Sequence, residues 1–187
     1  MSCLFTGTIP LSAMIAPTIR LIQTPRLRLV LKTPEEVRAA IETMDVSEKA
    51  QLSADWLARL AASTAPDRWV HGFSIVQLDS GITVGQCGFK GPPDMDGMVE
   101  IAYGVASHQE GKGYATEAAR ALVAHAFSVQ QVKLVRAHTL PGSIASKRVL
   151  AKCGFQYVGE ITDPEDGLVW RFETLRPSSV ARTDTPG

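Results

Sequence analysis

Two glycines in the loop Gly111-Lys112-Gly113-Tyr114-Ala115 are the feature of this sequence best suited to chemistry. Glycine lets the backbone turn sharply and lets a ligand approach the main chain closely. The loop runs directly into a helix predicted to begin at Ala115, so its N–H groups lie at a helix N-terminus. Such a terminus carries about half a positive charge. We therefore expect an anion site here that can hold a pyrophosphate without a metal ion.

This loop admits other interpretations. A short glycine motif is a weak signal, and two glycines taken alone favour a connection that binds nothing. A P-loop requires Gly-Lys-Ser/Thr, whereas Lys112 is followed by Gly113. A Rossmann fingerprint would place Gly or Ala at Thr116 and would follow the first parallel strand. A nucleotide-dependent enzyme of Rossmann type is therefore the weaker alternative.

The elements predicted around the loop must position it. Alternating side chains predict a strand over Val99–Ala106, and apolar residues at helical spacing predict a helix from Ala115 to Phe127. Thr33-Pro34-Glu35-Glu36 has the pattern of a helix start with a capping box. The other predicted strands are Leu27–Leu31, Trp69–Gln77, Ile82–Lys90, Lys133–Thr139, Phe155–Ile161 and Leu168–Thr174, and the other helices lie around Ser53–Ala61 and from a cap at Ser143 to Gly154. Hairpins followed by strand–helix alternation predict an α/β fold with a mixed sheet flanked by helices.

Three segments resemble the GNAT superfamily of acyl-CoA-dependent acyltransferases. The stretch 108–118 is similar to the coenzyme A loop of that family, whose pattern Gln/Arg-x-x-Gly-x-Gly/Ala aligns from Glu110 to Ala115. The stretch 139–155 is similar to a second family segment. The stretch 24–29, Thr-Pro-Arg-Leu-Arg-Leu, resembles the opening strand of the ribosomal-protein alanine acetyltransferase (RimJ/RimL-like) branch.

The resemblance implies a GNAT-like fold, with a mostly antiparallel mixed sheet splayed between its fourth and fifth core strands. Those strands are here Val99–Ala106 and Lys133–Thr139. The pantetheine arm of acetyl-CoA would enter the gap like an extra strand and bond the exposed backbone. The coenzyme-binding residues that the resemblance implies are Tyr103, Gly104, Val105, Glu110, Gly111, Lys112, Gly113, Tyr114, Ala115, Thr116 and Ser143. Lys112, Lys147 and Arg148 could meet phosphates, although a solvated charge is the ordinary state of such residues.

Two of these positions depart from the family pattern. Glu110 replaces the usual Gln or Arg and puts a negative charge beside the phosphate site. Ser143 stands where the branch commonly has Asn, and a hydroxyl is shorter and offers fewer hydrogen bonds. Both changes predict weakened or rearranged contacts with the coenzyme. They also give weight to an alternative, a non-catalytic CoA-binding or regulatory module.

The implied reaction is direct attack of a primary amine on the thioester of acetyl-CoA in a ternary complex. The amine arrives as an ammonium and must lose a proton. Glu100 is the candidate general base, because strand alternation places it with the small residues Ala102 and Gly104; a solvated strand-face glutamate is an equal alternative. Ser146 is the candidate proton donor to the thiolate, where many family members use a tyrosine, but a hydroxyl that bonds its own helix is favoured.

The composition of the chain limits which other classes of protein it can belong to. The 187 residues carry 19 basic and 19 acidic side chains and are 45% hydrophobic, which fits one domain and argues against a nucleic-acid partner. We predict a domain over 20–175, a flexible segment over 1–19 and a disordered tail over 176–187. The three cysteines form no CxxC pair and the four histidines share no ligand spacing, so we expect no metal, and we expect His138 to be structural.

The expected partners are acetyl-CoA and an amine acceptor, either a small molecule or a protein N-terminus. The sequence has no apolar run of 18 residues, so we expect no membrane partner and a cytoplasmic location. Oligomeric state stays open, with a homodimer as one arrangement.

Overall fold

The computed structural model describes residues 21–50, 52–163 and 167–177. Within these ranges the strands are β1 (Leu21–Gln23), β2 (Leu27–Leu31), β3 (Phe73–Gln77), β4 (Thr83–Phe89), β5 (Met98–Val105), β6 (Leu134–Thr139), β7 (Gln156–Asp163) and β8 (Gly167–Leu175). The α-helices are α1 (Pro34–Thr43), α2 (Val46–Ala50), α3 (Ala54–Ala62), α4 (Tyr114–Phe127) and α5 (Ile144–Lys152). The predicted segment 1–19 and the tail from 178 lie outside the described residues, and the domain boundaries stay a prediction.

The strands form one sheet in the order β1-β2-β3-β4-β5-β6-β8-β7. Neighbours pair antiparallel except β5 and β6, which are parallel. Hairpins build the first half of the sheet, and the chain then crosses over through α4 to reach β6. This arrangement confirms the predicted α/β fold with a mixed, mostly antiparallel sheet.

The parallel pair β5–β6 is short, and this creates the gap that defines the site. Their pairing runs only from Met98↔Leu134 to Glu100↔Arg136. On its other side β5 stays paired with β4 as far as Val105↔Gly85. The second half of β5 therefore has one covered edge and one open edge, which is the predicted splay between the two strands.

Two separate hydrophobic clusters support the fold. The larger one lies between the sheet and α4, whose residues Ala118, Leu122 and Ala126 are completely buried. The smaller one joins α1 and α3 to the chain before β3 and has only three buried members, Val37, Leu60 and Val70. The face of the sheet under α1 and α3 is thus held by a much smaller core than the face under α4.

Some local predictions need correction. The strand predicted over Trp69–Gln77 begins only at Phe73, because the Asp67 carboxylate accepts from the Trp69 N–H in a turn and Gly72 has φ 65°. The elements β1 and α2 were not predicted, since three and five residues are too short for a clear pattern. The Thr33–Glu36 capping box is confirmed at α1. Arg176, placed in the predicted tail, donates to the carbonyls of Phe127, Val129 and Val132.

Candidate active site

The glycine loop has the backbone geometry that its sequence suggested. Gly111 and Gly113 have φ 76° and 83°, a left-handed region that favours glycine. Gly113 is the N-cap of α4, so the loop ends where the positive end of the helix dipole begins. A Cβ on Gly111 would meet no atom within 4 Å, so the space beside it is open to a ligand.

The turn between β1 and β2 holds this loop against α4. Glu117 accepts hydrogen bonds from the Thr24 hydroxyl at 2.6 Å and from the Arg26 N–H and Nε, both at 2.8 Å. Burial alone would raise the pKa of Glu117, but these hydrogen bonds and the Arg26 charge lower it. Arg26 also donates to the Lys112 carbonyl at 3.0 Å and lies over the Tyr114 ring. Sequence reasoning missed this clamp, because its halves lie 91 residues apart.

A cavity of about 360 Å³ opens between β5, the loop and α5; we call it the coenzyme-side cavity. Its lining includes nine of the residues predicted for coenzyme binding, together with Ser146: Tyr103, Gly104, Val105, Glu110, Gly111, Gly113, Tyr114, Ala115 and Thr116. The cavity is also lined by residues that were not predicted, Gln109, Ala145, Val149 and Lys152. The open edge of β5 and the N-terminus of α4 thus face one space.

Only some of the basic residues that were proposed to bind phosphates line the coenzyme-side cavity. Arg148 lines the coenzyme-side cavity, and the unpredicted Lys152 lies with it on α5. Lys112 does not line the cavity, and its ammonium donates to Gln109 Oε1 at 2.8 Å. Lys147 lies over the Trp170 ring instead. Positive charge at the cavity is therefore supplied chiefly from α5.

Ser143 occupies the position before α5 without capping it. The helix begins at Ile144, but the Ser143 hydroxyl makes no capping hydrogen bond, which corrects the prediction of a capping side chain. Ser143 is not among the residues lining the coenzyme-side cavity. Its predicted contact with the pantetheine arm stays a prediction.

A second cavity, of about 430 Å³, lies under α1 and α3; we call it the acceptor-side cavity. Its lining is Lys32, Val37, Ala40, Ile41, Met44, Trp56, Val70, His71, Gly72, Gln86, Cys87, Gly88, Phe89, Ala102, Tyr103 and Gly104. Tyr103 and Gly104 line both cavities, so the two spaces border the same open half of β5. Burial raises the pKa of the Cys87 thiol to about 12, so this cysteine stays protonated.

Glu100 is part of a side-chain network at the point where β5 and β6 diverge. Its Oε1 lies 3.1 Å from His138 Nδ1 and 3.2 Å from Lys90 Nζ. Arg171 Nε donates to His138 Nε2 at 3.4 Å, so the His138 ring holds its proton on Nδ1 and donates it to Glu100. Glu100 is thus not a solvated strand-face residue. The histidine, expected to be structural, is a hydrogen-bond partner of the candidate base.

Tyr103 brings a second hydroxyl close to Ser146. The Tyr103 hydroxyl donates to the Ser146 carbonyl at 3.4 Å, across the gap between β5 and α5. Burial raises the pKa of Tyr103, so its phenol stays protonated at neutral pH. Two protonated hydroxyls, one from β5 and one from α5, therefore border the coenzyme-side cavity.

Two further observations concern the described part of the chain. Within it, no three His, Cys, Asp or Glu side chains cluster closely enough to hold a metal ion. None of its helices is both long enough and apolar enough to cross a membrane.

The family follows from comparison with known proteins. Residues 19–156 match the family model of the acetyltransferase (GNAT) domain. The chain therefore belongs to the GNAT acetyltransferase family.

Curated relatives match only part of the chain. It is 36% identical to the uncharacterized N-acetyltransferase YjdG of Bacillus subtilis over 89 residues, which are 48% of this chain and 51% of that protein. It is 30% identical to a kanamycin resistance protein of Rhizobium radiobacter over 76 residues, 41% of this chain and 70% of that protein. The chain spans about half the length of the first curated relatives that it matches.

Solved structures share the fold. An acetyltransferase of the GNAT family from Bacillus anthracis has TM-score 0.59 and 20% identity, covering 83% of this chain and 98% of that one. Aminoglycoside acetyltransferase AAC(6')-Ib with coenzyme A and kanamycin has TM-score 0.56 and 22% identity, covering 80% and 95%. A proposed ribosomal-protein-serine acetyltransferase from Vibrio cholerae has TM-score 0.59 and 18% identity, covering 83% and 97%. These likenesses confirm the GNAT fold, and the RimJ/RimL-like branch stays a prediction.

Proposed function

We propose that this protein transfers an acetyl group from acetyl-CoA to a primary amine by direct attack in a ternary complex. The observation that carries the proposal is that two cavities border the open half of β5, where Tyr103 and Gly104 line both. Two substrates held in these cavities would present their reacting groups to each other. Neither would need to form a covalent bond with the protein.

The coenzyme would lie along the coenzyme-side cavity. Its pyrophosphate would sit on the N–H groups of Gly111–Ala115, where the α4 dipole favours negative charge. Its pantetheine arm would bond the open edge of β5 at Tyr103–Val105, as a further strand would. An N–H on that edge could then stabilise the oxyanion that forms as the amine attacks.

Proton transfer would use groups on either side of β5. Glu100 shares a face of β5 with Ala102 and Gly104, which line the acceptor-side cavity. Strand geometry places its Cα about 7 Å from that of Ala102, so a water molecule could relay the proton from the ammonium. Ser146 or Tyr103 would hydrogen-bond the departing thiolate. A neutral donor suffices there, because the thiolate can take its proton from water after release.

The direct test measures free thiol released from acetyl-CoA in the presence of a panel of primary amines, with mass spectrometry to locate the acetyl group. We expect amine-dependent thiol release and an N-acetylated product. The same assay with EDTA checks the expected metal independence. Thiol release without an acetylated amine, or activity lost with EDTA and restored by a divalent ion, would contradict the mechanism.

A second candidate function is a non-catalytic CoA-binding module. The Glu110 and Ser143 departures favour it, since both bear on coenzyme contacts. Such a module would bind CoA, detected calorimetrically, yet release no thiol with any amine of the panel. The paired measurements therefore separate the two functions.

A further inference from the structure

The acceptor-side cavity has a charge pattern that selects among amines. Among its described lining residues there is no Asp or Glu, and Lys32 is its single Lys or Arg. Most of the remaining wall is apolar, with Ile41, Met44 and Trp56 facing the space. A polycationic amine entering here would meet a positive charge and no carboxylate on the wall. The cavity therefore disfavours the polyamine sugars found in some structural neighbours.

The polar groups of the wall are mostly occupied. Trp56 Nε1 donates to the Val70 carbonyl at 2.7 Å, which leaves the indole face as an apolar surface. His71 Nε2 lies 2.9 Å from the Ser63 hydroxyl, and its Nδ1 accepts from the Asp67 N–H at 2.8 Å. Lys32 differs, because one bond to Gln86 Oε1 at 2.8 Å leaves donors of its ammonium for a ligand.

Lys32 lies close to the proposed reaction centre. Gln86 pairs directly with Gly104 across β4 and β5, and side chains of directly opposed residues project from the same face. The Lys32 ammonium therefore lies over the strand segment that borders both cavities. A Cβ on Gly104 would meet no atom within 4 Å, so the space between is open. An anionic group bound by Lys32 would thus be only a few bonds from the attacking amine.

Burial leaves the Lys32 ammonium with incomplete hydration. Loss of hydration lowers the pKa of the Lys32 ammonium, although the Glu36 carboxylate acts in the opposite direction. A carboxylate ligand would offset that lost hydration with a charge-assisted hydrogen bond. The apolar wall would gain by covering a hydrocarbon side group.

We propose, on the basis of the acetyltransferase function above, that the acceptor is a primary amine with a carboxylate close to the amine and an apolar side group, and that Lys32 binds the carboxylate. This is the chemistry of an apolar α- or β-amino acid. The side group would occupy the space beside Trp56 and Met44, and the amine would point across Gly104 to the thioester.

The test compares kcat/KM for leucine and phenylalanine with their carboxamides, which lack the negative charge and carry a less basic amine, and with kanamycin. Wild-type protein should prefer the amino acid over its carboxamide by at least tenfold and should use kanamycin least. Lys32→Gln should remove this preference for the acid, whereas Lys32→Arg should keep it. Lys49→Gln, which changes an exposed lysine on α2, is the matched control and should leave the ratio unchanged.

Two outcomes would overturn the inference while leaving the acetyltransferase function intact. They are a wild-type preference for kanamycin or the carboxamide, and an unchanged acid-to-amide ratio in Lys32→Gln. If no amine is acetylated, amino-acid binding is measured by tryptophan fluorescence with CoA present, since Trp56 lines the cavity. If the wild-type protein binds the amino acid and Lys32→Gln does not, the ligand class stands and the acetyltransferase function is overturned. If the wild-type protein does not bind the amino acid, both are overturned.

Discussion

The two cavities that border β5 are built in opposite ways. The coenzyme-side cavity draws most of its lining from one continuous stretch, 103–116, and the rest from one face of α5. It rests on the large core beneath α4. The acceptor-side cavity gathers residues from α1, α3, β4, β5 and the ends of β2 and β3. Its outer wall rests on three buried side chains, Val37, Leu60 and Val70.

Under the proposed function, this difference explains how one family can keep a cosubstrate and change an acceptor. A backbone cradle on a large core keeps its ligand while side chains change, because its contacts come from N–H groups that every residue shares. A wall of separate side chains on a small cluster can change one residue at a time without disturbing the sheet. We therefore expect substitutions on the two sides of β5 to separate turnover from coenzyme affinity.

The largest effect should come from the acceptor-side face of β5. Glu100→Gln keeps the size of the side chain and removes the charge, so turnover should fall about 10²–10⁴-fold if Glu100 assists deprotonation of the amine. CoA affinity, measured by calorimetry, should not change, because the phosphate loop is separate. The loss should shrink as pH rises, since more of the acceptor is then already neutral.

Glu173→Gln is the matched control, because Glu173 is also a strand carboxylate in an ion pair, with Arg136 at 2.7 Å. It should keep turnover. If Glu100→Gln turns over as fast as the wild-type protein at neutral pH, the network of Glu100, His138 and Lys90 has only a structural role.

The next effect should come from the coenzyme side. Gly113→Asp forces a side chain into φ 83°, places its Cβ about 3.3 Å from Arg26 and brings a negative charge to the phosphate cradle. Left-handed backbone costs a non-glycine residue about 1–2 kcal/mol, and this cost lowers stability, because the free and the bound loop both carry it. Repulsion between the new carboxylate and a phosphate about 4 Å away lies between about 1 kcal/mol in water and about 4 kcal/mol near a protein surface. CoA binding should therefore weaken by about 10- to 100-fold, with each factor of ten equal to about 1.4 kcal/mol.

The control variant Gly81→Asp separates the effect of backbone strain from the effect of charge repulsion between the aspartate and CoA. Gly81 has φ 69° in the β3–β4 hairpin, and a Cβ there would meet no atom within 4 Å. This variant should lose some stability and bind CoA normally. Normal CoA affinity in folded Gly113→Asp would remove the loop from the coenzyme site.

The same contrast explains what could be predicted from the sequence. The coenzyme loop is a contiguous motif followed by a long helical pattern, so its elements were predicted closely. The splayed strands were expected from the family resemblance alone. The clamp of Arg26 on Glu117 and the bond between Glu100 and His138 were not, because each joins residues far apart in the chain. The acceptor-side cavity as a whole was missed for the same reason. Its side chains share no motif, and only the folded sheet brings them together.

A smaller pair of effects should sharpen the comparison, because an arginine supports the wall of each cavity. Arg26 holds the coenzyme loop through Glu117 and the Lys112 carbonyl. Arg38 holds the end of α3 through the carbonyls of Leu60 and Ser63. Hydrogen bonds to charged groups contribute about 1.5–3 kcal/mol, and partial exposure of both side chains reduces this.

Arg26→Gln should weaken CoA binding about tenfold, in proportion to this discounted energy, and leave the acceptor KM unchanged. Arg38→Gln should raise the acceptor KM by a similar factor and leave CoA affinity unchanged. Calorimetry with CoA and steady-state kinetics with the acceptor give the two readouts. Parallel losses in both quantities, in either variant, would mean that the two sides are not independent.

The smallest effect should come from Glu110, the departure from the family pattern. Its side chain is exposed beside the coenzyme-side cavity, and its N–H is already bonded to the Ser107 carbonyl. Two unit charges about 7 Å apart in water interact by about 0.6 kcal/mol, so Glu110→Gln should tighten CoA binding by about threefold or leave it unchanged. Raising the salt concentration should erase the difference, because exposed charges are screened within about 10 Å at 0.1 M salt. Calorimetry at low and high salt gives the CoA affinity under both conditions. Glu42→Gln, which changes a glutamate on α1, is the control that should not alter CoA affinity. Markedly weaker binding in Glu110→Gln would mean that this carboxylate holds the loop in place, and that the coenzyme side depends on a side chain as well as on its backbone.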